Sequence, residues 1–373
     1  MREVQALPSP ASRDRGHPAR AANPTGLTPN ARTNLEYFER TAEPVVVFLL
    51  MDHHTVAVLA NPTEPQLAML EQLPPETSIA VGDSAEAFAR AAPDTDVIFS
   101  WSLAGALLRD VFLMCPRARW VHSRAAGLDN LLFPELIESP VPVTNGSGIF
   151  SESLGEFALA AILYFAKDLR RMVRSQMAGR WEPFDVLEAA GQTVGIVGYG
   201  DIGRAVATRV RATGMQVLAI KRHGAPVYSV DPLVSRIYTP DQRLEMISRS
   251  DYVVVSAPLT AETRGMIGEA EFAAMKPEAV VINIGRGPTI DEAAMVRALS
   301  EGRIKGAALD VFDEEPLPEG HPFYRLENVL LSPHCADHTA DWMEQAMQFF
   351  IDQFERFRKG EPLLNVVNKK LGY

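Results

Sequence analysis

Between Val194 and Gly203 the chain reads Val-Gly-Ile-Val-Gly-Tyr-Gly-Asp-Ile-Gly. The apolar start has the character of a short strand buried on both faces. Ile202, Val206 and Val210 then recur at helical spacing, and Gly214 supplies a stop. A helix that begins directly on such a turn leaves its first amide N–H groups unpaired and presents the positive end of its dipole. Both features suit the pyrophosphate of a dinucleotide. In that geometry Gly198 makes the tight turn, Gly200 lets a phosphate approach the backbone, and Gly203 lets the helix pack closely on the strand. Asp201 and Ile202 open the helix and complete this set of candidate cofactor contacts. Glycines at this spacing also occur in ordinary turns, so the strand before and the helix after carry the reading.

The chain around this turn alternates strands with helices. Upstream, residues 44–51 read as a buried strand through Val45–Leu50, and a helix-like segment covers Glu64–Leu73. Ile79–Val81, Val97–Ser100 and Trp120–Ser123 read as further strands, and one long amphipathic helix is expected over Ser151–Arg180. Downstream, Thr193–Val197, Gln216–Ile220, Tyr252–Ser256, Val280–Ile284, Gly306–Asp310 and Val329–Ser332 are six strand candidates. Such alternation predicts an α/β architecture of parallel sheets covered by helices. At 373 residues the chain is long enough for two domains with separate cores. A final helix over Thr339–Gly360 is too short for a domain and too apolar to stand alone, so it should return to an existing one. The expected organisation is therefore a first, substrate-binding domain over 41–148 plus 340–373 and a dinucleotide-binding domain over 149–339. Both should be doubly wound parallel sheets, with a cleft between them.

Residues 1–40 differ in composition. Pro8, Pro10, Pro18, Pro24 and Pro29 punctuate a stretch too poor in large apolar residues to build a core, so a disordered extension is expected. Its arginine excess resembles an organellar targeting segment, but the prolines interrupt any amphipathic helix, and a cytoplasmic location is favoured. A net charge of −11 argues against nucleic acid or an anionic membrane as the main partner. No apolar run reaches membrane-spanning length. Two cysteines, Cys115 and Cys335, make neither a disulfide framework nor a zinc cluster, so no metal site is expected and a reducing compartment fits. Cys335 follows His334 and invites a thiol-nucleophile reading, but no base-plus-oxyanion motif accompanies it, and a packing role is favoured. Asn145-Gly146-Ser147 fits a glycosylation acceptor, which a cytoplasmic protein would not use.

Four further motifs follow the glycine turn: Ala257-Pro258-Leu259-Thr260, Asn283-Ile284-Gly285-Arg286-Gly287, Leu309-Asp310 through Glu315-Pro316-Leu317-Pro318, and Ser332-Pro333-His334. In this order, each near a strand end, they resemble the D-isomer-specific 2-hydroxyacid dehydrogenase family. The resemblance runs from about Val45 to the C-terminus and is densest from Gly191 to His338. It implies a flavodoxin-like substrate domain and a Rossmann cofactor domain. Reduction of a 2-oxo acid needs its carboxylate held, its carbonyl polarised and a proton delivered to the developing alkoxide. Arg286 suits the first two tasks because its permanently charged fork matches a carboxylate. His334 suits the third, with an ordinary pKa near neutrality. Glu315 suits the other imidazole nitrogen, favouring the protonated ring. Taken singly, Arg286 reads equally as a surface arginine, His334 as a core or surface histidine, and Glu315 as part of a solvated acidic turn. Their order at successive strand ends favours the catalytic set, and the resemblance implies those same roles.

Arg124-Ala125-Ala126-Gly127-Leu128-Asp129-Asn130 resembles the family's substrate-carboxylate loop. Ala126 and Gly127 offer only backbone N–H groups, as in an anion nest, and a plain strand-to-helix turn is an equal reading. Arg124 and Trp101 border the same region as candidates for shaping the substrate pocket. The position about twenty residues after the glycines, usually Asp or Glu in an NAD-binding sheet, is Lys221, followed by Arg222 and His223. A basic turn there attracts a 2′-phosphate, so NADP(H) is favoured and NAD(H) is the other candidate. The resemblance implies that Asp310 bonds the nicotinamide carboxamide, with a turn aspartate as the alternative. Pro258 and its neighbours should run along the adenosine half. These readings point to an NADPH-favouring reductase of a small 2-oxo acid such as glyoxylate or hydroxypyruvate, forming a homodimer. The alternative is a dinucleotide-binding corepressor or scaffold of the same fold.

Overall fold

Two stretches of alternating strands and helices each build their own parallel sheet. The structure, a computed structural model, describes residues 53–222 and 231–373. The extension at 1–40, the strand expected over 44–51 and His223 lie outside the described residues. In the first sheet the strands are β1 (Thr55–Leu59), β2 (Ser78–Gly82), β3 (Val97–Ser100), β4 (Trp120–Ser123) and β5 (Val143–Thr144), in the order β2-β1-β3-β4-β5. That is the flavodoxin-like order. Helices α1 (Gly105–Met114) and α2 (Pro134–Glu138) belong to this lobe. The segment expected as helix over Glu64–Leu73 is a 3₁₀ helix at Pro65–Gln72.

The second sheet follows two helices, α3 (Ser151–Ala166) and α4 (Leu169–Met177). One helix is expected over Ser151–Arg180, and the structure corrects this. Asp168 adopts the left-handed conformation at φ 47°, and its carboxylate caps α4 by accepting from Arg171 N at 3.3 Å. The chain then makes β6 (Thr193–Val197), α5 (Asp201–Ala212), β7 (Gln216–Ile220), β8 (Arg236–Tyr238), α6 (Arg243–Arg249), β9 (Tyr252–Val255), α7 (Glu269–Ala274), β10 (Val280–Asn283), α8 (Glu292–Ser300), β11 (Gly306–Leu309) and β12 (Val329–Leu331). Their order is β12-β11-β10-β9-β6-β7-β8, all parallel, with the order reversing between β6 and β9. This is the dinucleotide-binding arrangement with one strand more than the six expected. The additional strand is β8, a three-residue edge strand beginning at an exposed arginine.

The first sheet is buried on both faces, and alternation along its strands decides which core each residue joins. Ala57, Leu59, Ile98 and Val121 pack with Leu108 and Val111 of α1. Val56, Val58, Val97, Phe99 and Trp120 face the last helix, α9 (Trp342–Arg358), through Met347, Phe350 and Phe354. Phe350 stacks on Phe99 with ring centroids 4.0 Å apart, and its ring lies 5.5 Å from Trp120. The final helix thus leaves the second sheet and completes the core of the first. The segment beyond it pairs with β5, where Val367 N donates to Val143 O at 2.8 Å. Among the described residues, no helix is long and apolar enough to cross a membrane.

Phe350→Ala removes a ring that is fully buried between both aromatic partners. It should cost about 3–5 kcal/mol, the usual range for a large aromatic lost from a core. Chemical denaturation followed by circular dichroism measures this, and a loss below about 1 kcal/mol would show that α9 does not complete the first core.

Candidate active site

The carboxyl ends of strands from both sheets converge on one cleft of about 660 Å³. Its walls include Ala126 and Gly127 after β4, Gly200, Asp201 and Ile202 after β6, Pro258 after β9, Arg286 after β10 and His334 after β12. Ligands of doubly wound sheets gather at such ends.

At the glycine turn, Gly198 has φ +97°, and a Cβ there would stand 2.5 Å from Ala257 N. A Cβ on Gly203 would stand 2.5 Å from Gly198 O, so the helix can lie this close to the strand only without a side chain. Gly200 differs: no atom lies within 4 Å of where its Cβ would be. The start of α5 therefore faces open space, with the room and the amide donors that a pyrophosphate needs. Asp201 accepts from Ser147 Oγ at 2.9 Å and ties the helix start to the first lobe. No carboxylate follows β7 at Lys221, which is exposed. Arg222 is ion-paired with Glu262 and donates to Tyr373 OH at 3.1 Å, so part of the charge expected of this basic turn is offset. Neither Lys221 nor Arg222 lines the cleft, but Tyr373 does.

His334 Nδ1 lies 2.6 Å from Glu315 Oε2, which leaves Nε2 as the nitrogen free for another partner. The hydrogen bond to Glu315 holds the His334 pKa above the ordinary imidazole value, against burial and the Arg286 charge. Burial pushes Glu315 up, but hydrogen bonds from His334 and from Phe312 N, at 2.9 Å, outweigh it and hold the carboxyl below its usual range. The pair is therefore set toward imidazolium and carboxylate near neutral pH.

Arg286 is held from several sides. Its Nε donates to Asp129 Oδ1 at 3.0 Å and its Nη1 to Gly285 O at 3.0 Å. Its carbonyl accepts from Asn283 Nδ2 at 3.0 Å and from Thr289 Oγ1 at 2.6 Å. The Nη2 edge rests against Gly127, where any Cβ would collide with it. Among the described residues, the amides of Ala126 and Gly127 donate to no acceptor, while Asn145 Nδ2 donates to Ala126 O at 2.6 Å. Two free N–H groups and a guanidinium edge thus meet at one place.

Asp310 is buried behind His334. Its Oδ1 accepts from Ser332 Oγ at 2.5 Å, Cys335 N at 3.0 Å and Ala336 N at 3.1 Å. These bonds brace the turn in which His334 takes the left-handed conformation at φ 50°. Cys335 corrects an expectation: it is exposed rather than packed, with Sγ 3.5 Å from Ser332 Oγ. The turn that presents His334 to the cleft carries its neighbour to the surface. Sequence reasoning left Asp129 without a role, because its partner Arg286 lies 157 positions away and only folding brings them together.

A model of the D-isomer specific 2-hydroxyacid dehydrogenase NAD-binding domain matches residues 159–336, which include the glycine turn, Arg286, Glu315 and His334. Glyoxylate reductase from Korarchaeum cryptofilum is 35% identical over 271 residues, covering 70% of this chain and 80% of that protein. D-3-phosphoglycerate dehydrogenase from Methanocaldococcus jannaschii is 30% identical over 314 residues, covering 82% of this chain and 57% of that protein. Among solved structures, NADPH-dependent glyoxylate/hydroxypyruvate reductase from Sinorhizobium meliloti, in complex with NADP and sulfate, superposes with a TM-score of 0.73 at 27% identity. It covers 86% of this chain and all of that one, at 100%. The chain belongs to the D-isomer specific 2-hydroxyacid dehydrogenase family and is an NAD(P)-dependent 2-hydroxyacid dehydrogenase.

Proposed function

We propose that this protein reduces a small 2-oxo acid, glyoxylate, hydroxypyruvate or a close relative, to the D-2-hydroxy acid, with NADPH favoured over NADH. The observation that carries this reading is the Glu315–His334 pair at 2.6 Å, placed on the same cleft as the Arg286 edge and the two free amides. Residues 41–148 with 340–373 hold the substrate and 149–339 the dinucleotide. Gly198, Gly200, Asp201, Ile202 and Gly203 would hold its pyrophosphate, with Pro258 beside the adenosine half and Asp310 near the carboxamide. The bound cofactor supplies the hydride.

The substrate carboxylate lies against the Ala126 and Gly127 amides and the Arg286 edge, a charge-assisted arrangement that fixes orientation. Arg286 also polarises the carbonyl, and its contact with Asp129 stops the guanidinium from turning away. His334 Nε2 delivers the proton to the developing alkoxide, and Glu315 stabilises the imidazolium that starts the step. The lack of a carboxylate at Lys221 removes the repulsion a 2′-phosphate would meet. The NADPH-dependent Sinorhizobium meliloti reductase, solved in complex with NADP, agrees with that charge reading.

In an assay following reduced-cofactor absorbance with glyoxylate and hydroxypyruvate, kcat/KM should be higher with NADPH than with NADH. His334→Ala should lower kcat by about 10²–10⁴-fold, the usual contribution of a positioned acid. Turnover that survives this change would overturn the assignment. For reduction, activity requires protonated His334 and is lost as pH rises through its pKa. Glu315→Gln removes the group that raises that pKa, so the alkaline decline should move to lower pH. An unmoved decline would mean that Glu315 does not tune the acid.

The reading includes a homodimer. Val173, Met177 and Trp181, on and after α4, are 53%, 84% and 95% exposed, an apolar surface that a partner copy would cover. Light scattering after size exclusion should give twice the chain mass for the native protein and a single chain mass for Trp181→Glu. A monomeric native protein would refute the dimer.

A further inference from the structure

The basic side chains on the cleft wall, among the described residues, are Arg124, Arg286, His334 and His338. Three of them face a carboxylate: Arg286 with Asp129 at 3.0 Å, His334 with Glu315 at 2.6 Å, and His338 with Asp337 at 3.7 Å. Among the described residues Arg124 pairs with none, and its guanidinium donates to no protein acceptor. Its surroundings are aromatic instead. Its Cζ lies 4.7 Å from the Trp101 ring centroid and 5.1 Å from that of Trp342. Trp342 in turn stacks on His338 at 4.6 Å, with the planes 4° apart.

Indole faces hold a guanidinium through its own faces, by cation–π attraction and stacking. The in-plane N–H edges, which make hydrogen bonds, are left over. Burial depresses the Arg124 pKa, and the nearby carboxylates of Glu64 and Asp337 only partly offset this. A half-buried charge with no protein hydrogen-bond partner is costly to hold, and an anionic ligand lowers that cost. The position of Arg124 shows which ligand this is. It starts the loop whose Gly127 carries the Arg286 edge, so one loop presents a guanidinium on either side. A molecule whose 2-oxo acid end is gripped at Ala126, Gly127 and Arg286 would find Arg124 on the same wall. With an indole ring on each of two contacts, the guanidinium keeps N–H edges that suit a flat acceptor, which a carboxylate is.

Resting on the reading of this cleft as a 2-oxo acid site, we propose that Arg124 is a second anion subsite that selects short 2-oxo acids bearing a distal carboxylate.

The test uses the full chain with saturating NADPH. kcat/KM is measured for oxaloacetate and 2-oxoglutarate, and for the monocarboxylates 2-oxobutyrate and 2-oxovalerate, with glyoxylate as a reference substrate. The native protein should favour each dicarboxylate over its monocarboxylate counterpart by about tenfold or more. Arg124→Leu should lower that ratio by at least about tenfold, mainly through KM, and Arg124→Lys should restore part of it. As a second readout, succinate should inhibit native glyoxylate reduction competitively and more strongly than butyrate, and the difference should vanish in Arg124→Leu. A native enzyme that turns over glyoxylate but does not prefer dicarboxylates overturns the subsite and leaves the reductase standing. A ratio unchanged in Arg124→Leu, or equal losses on dicarboxylate and monocarboxylate substrates, also overturns it. Absence of turnover with every 2-oxo acid overturns both.

Discussion

A single buried carboxylate oxygen organises the reactive end of this protein. Asp310 Oδ1 gathers the Ser332 hydroxyl and the Cys335 and Ala336 amides, and the turn they brace carries His334 in the left-handed conformation. A non-glycine residue in that conformation is strained and persists only when its surroundings over-determine it. Here the strain has a use. It turns the imidazole so that one nitrogen meets Glu315 and the other is available to the cleft. Asp310 leaves the end of β11, His334 follows β12, and these strands are neighbours, so the brace acts between adjacent strand ends.

The same economy runs through the rest of the cleft. Arg286 projects from the second lobe, yet Asp129, its carboxylate partner, belongs to the first. Asp201 at the start of α5 likewise meets Ser147 of the first lobe. The first lobe therefore contributes atoms that orient the second's functional groups. An isolated second lobe would keep its glycine turn and its histidine pair but lose the contact that steadies its arginine.

Much of this was readable before folding, for a specific reason. The glycine turn, Arg286, Glu315 and His334 sit in short local motifs at strand ends, where chain direction and turn chemistry are set by a few neighbouring residues. Six strands of the second sheet were readable because each is a mostly apolar run. What escaped notice depends on tertiary partners or on single backbone angles. β8 is a short edge strand starting with Arg236, and nothing apolar announces it. The break between α3 and α4 rests on one left-handed aspartate inside an otherwise helical pattern. β5 has two residues, and Thr144 ties it down through Trp120 Nε1 at 2.8 Å and His122 Nδ1 at 2.7 Å. Asp129 and the stacked setting of Arg124 become visible only when distant segments meet.

The chain passes between the lobes twice, before α3 and again between β12 and α9. His338 and Trp342 lie on the second passage, and Trp342 covers one face of Arg124. One link between the lobes and one wall of the cleft are consequently made from the same few side chains, so a substitution at Trp342 reaches both the path of the chain and the lining of the pocket.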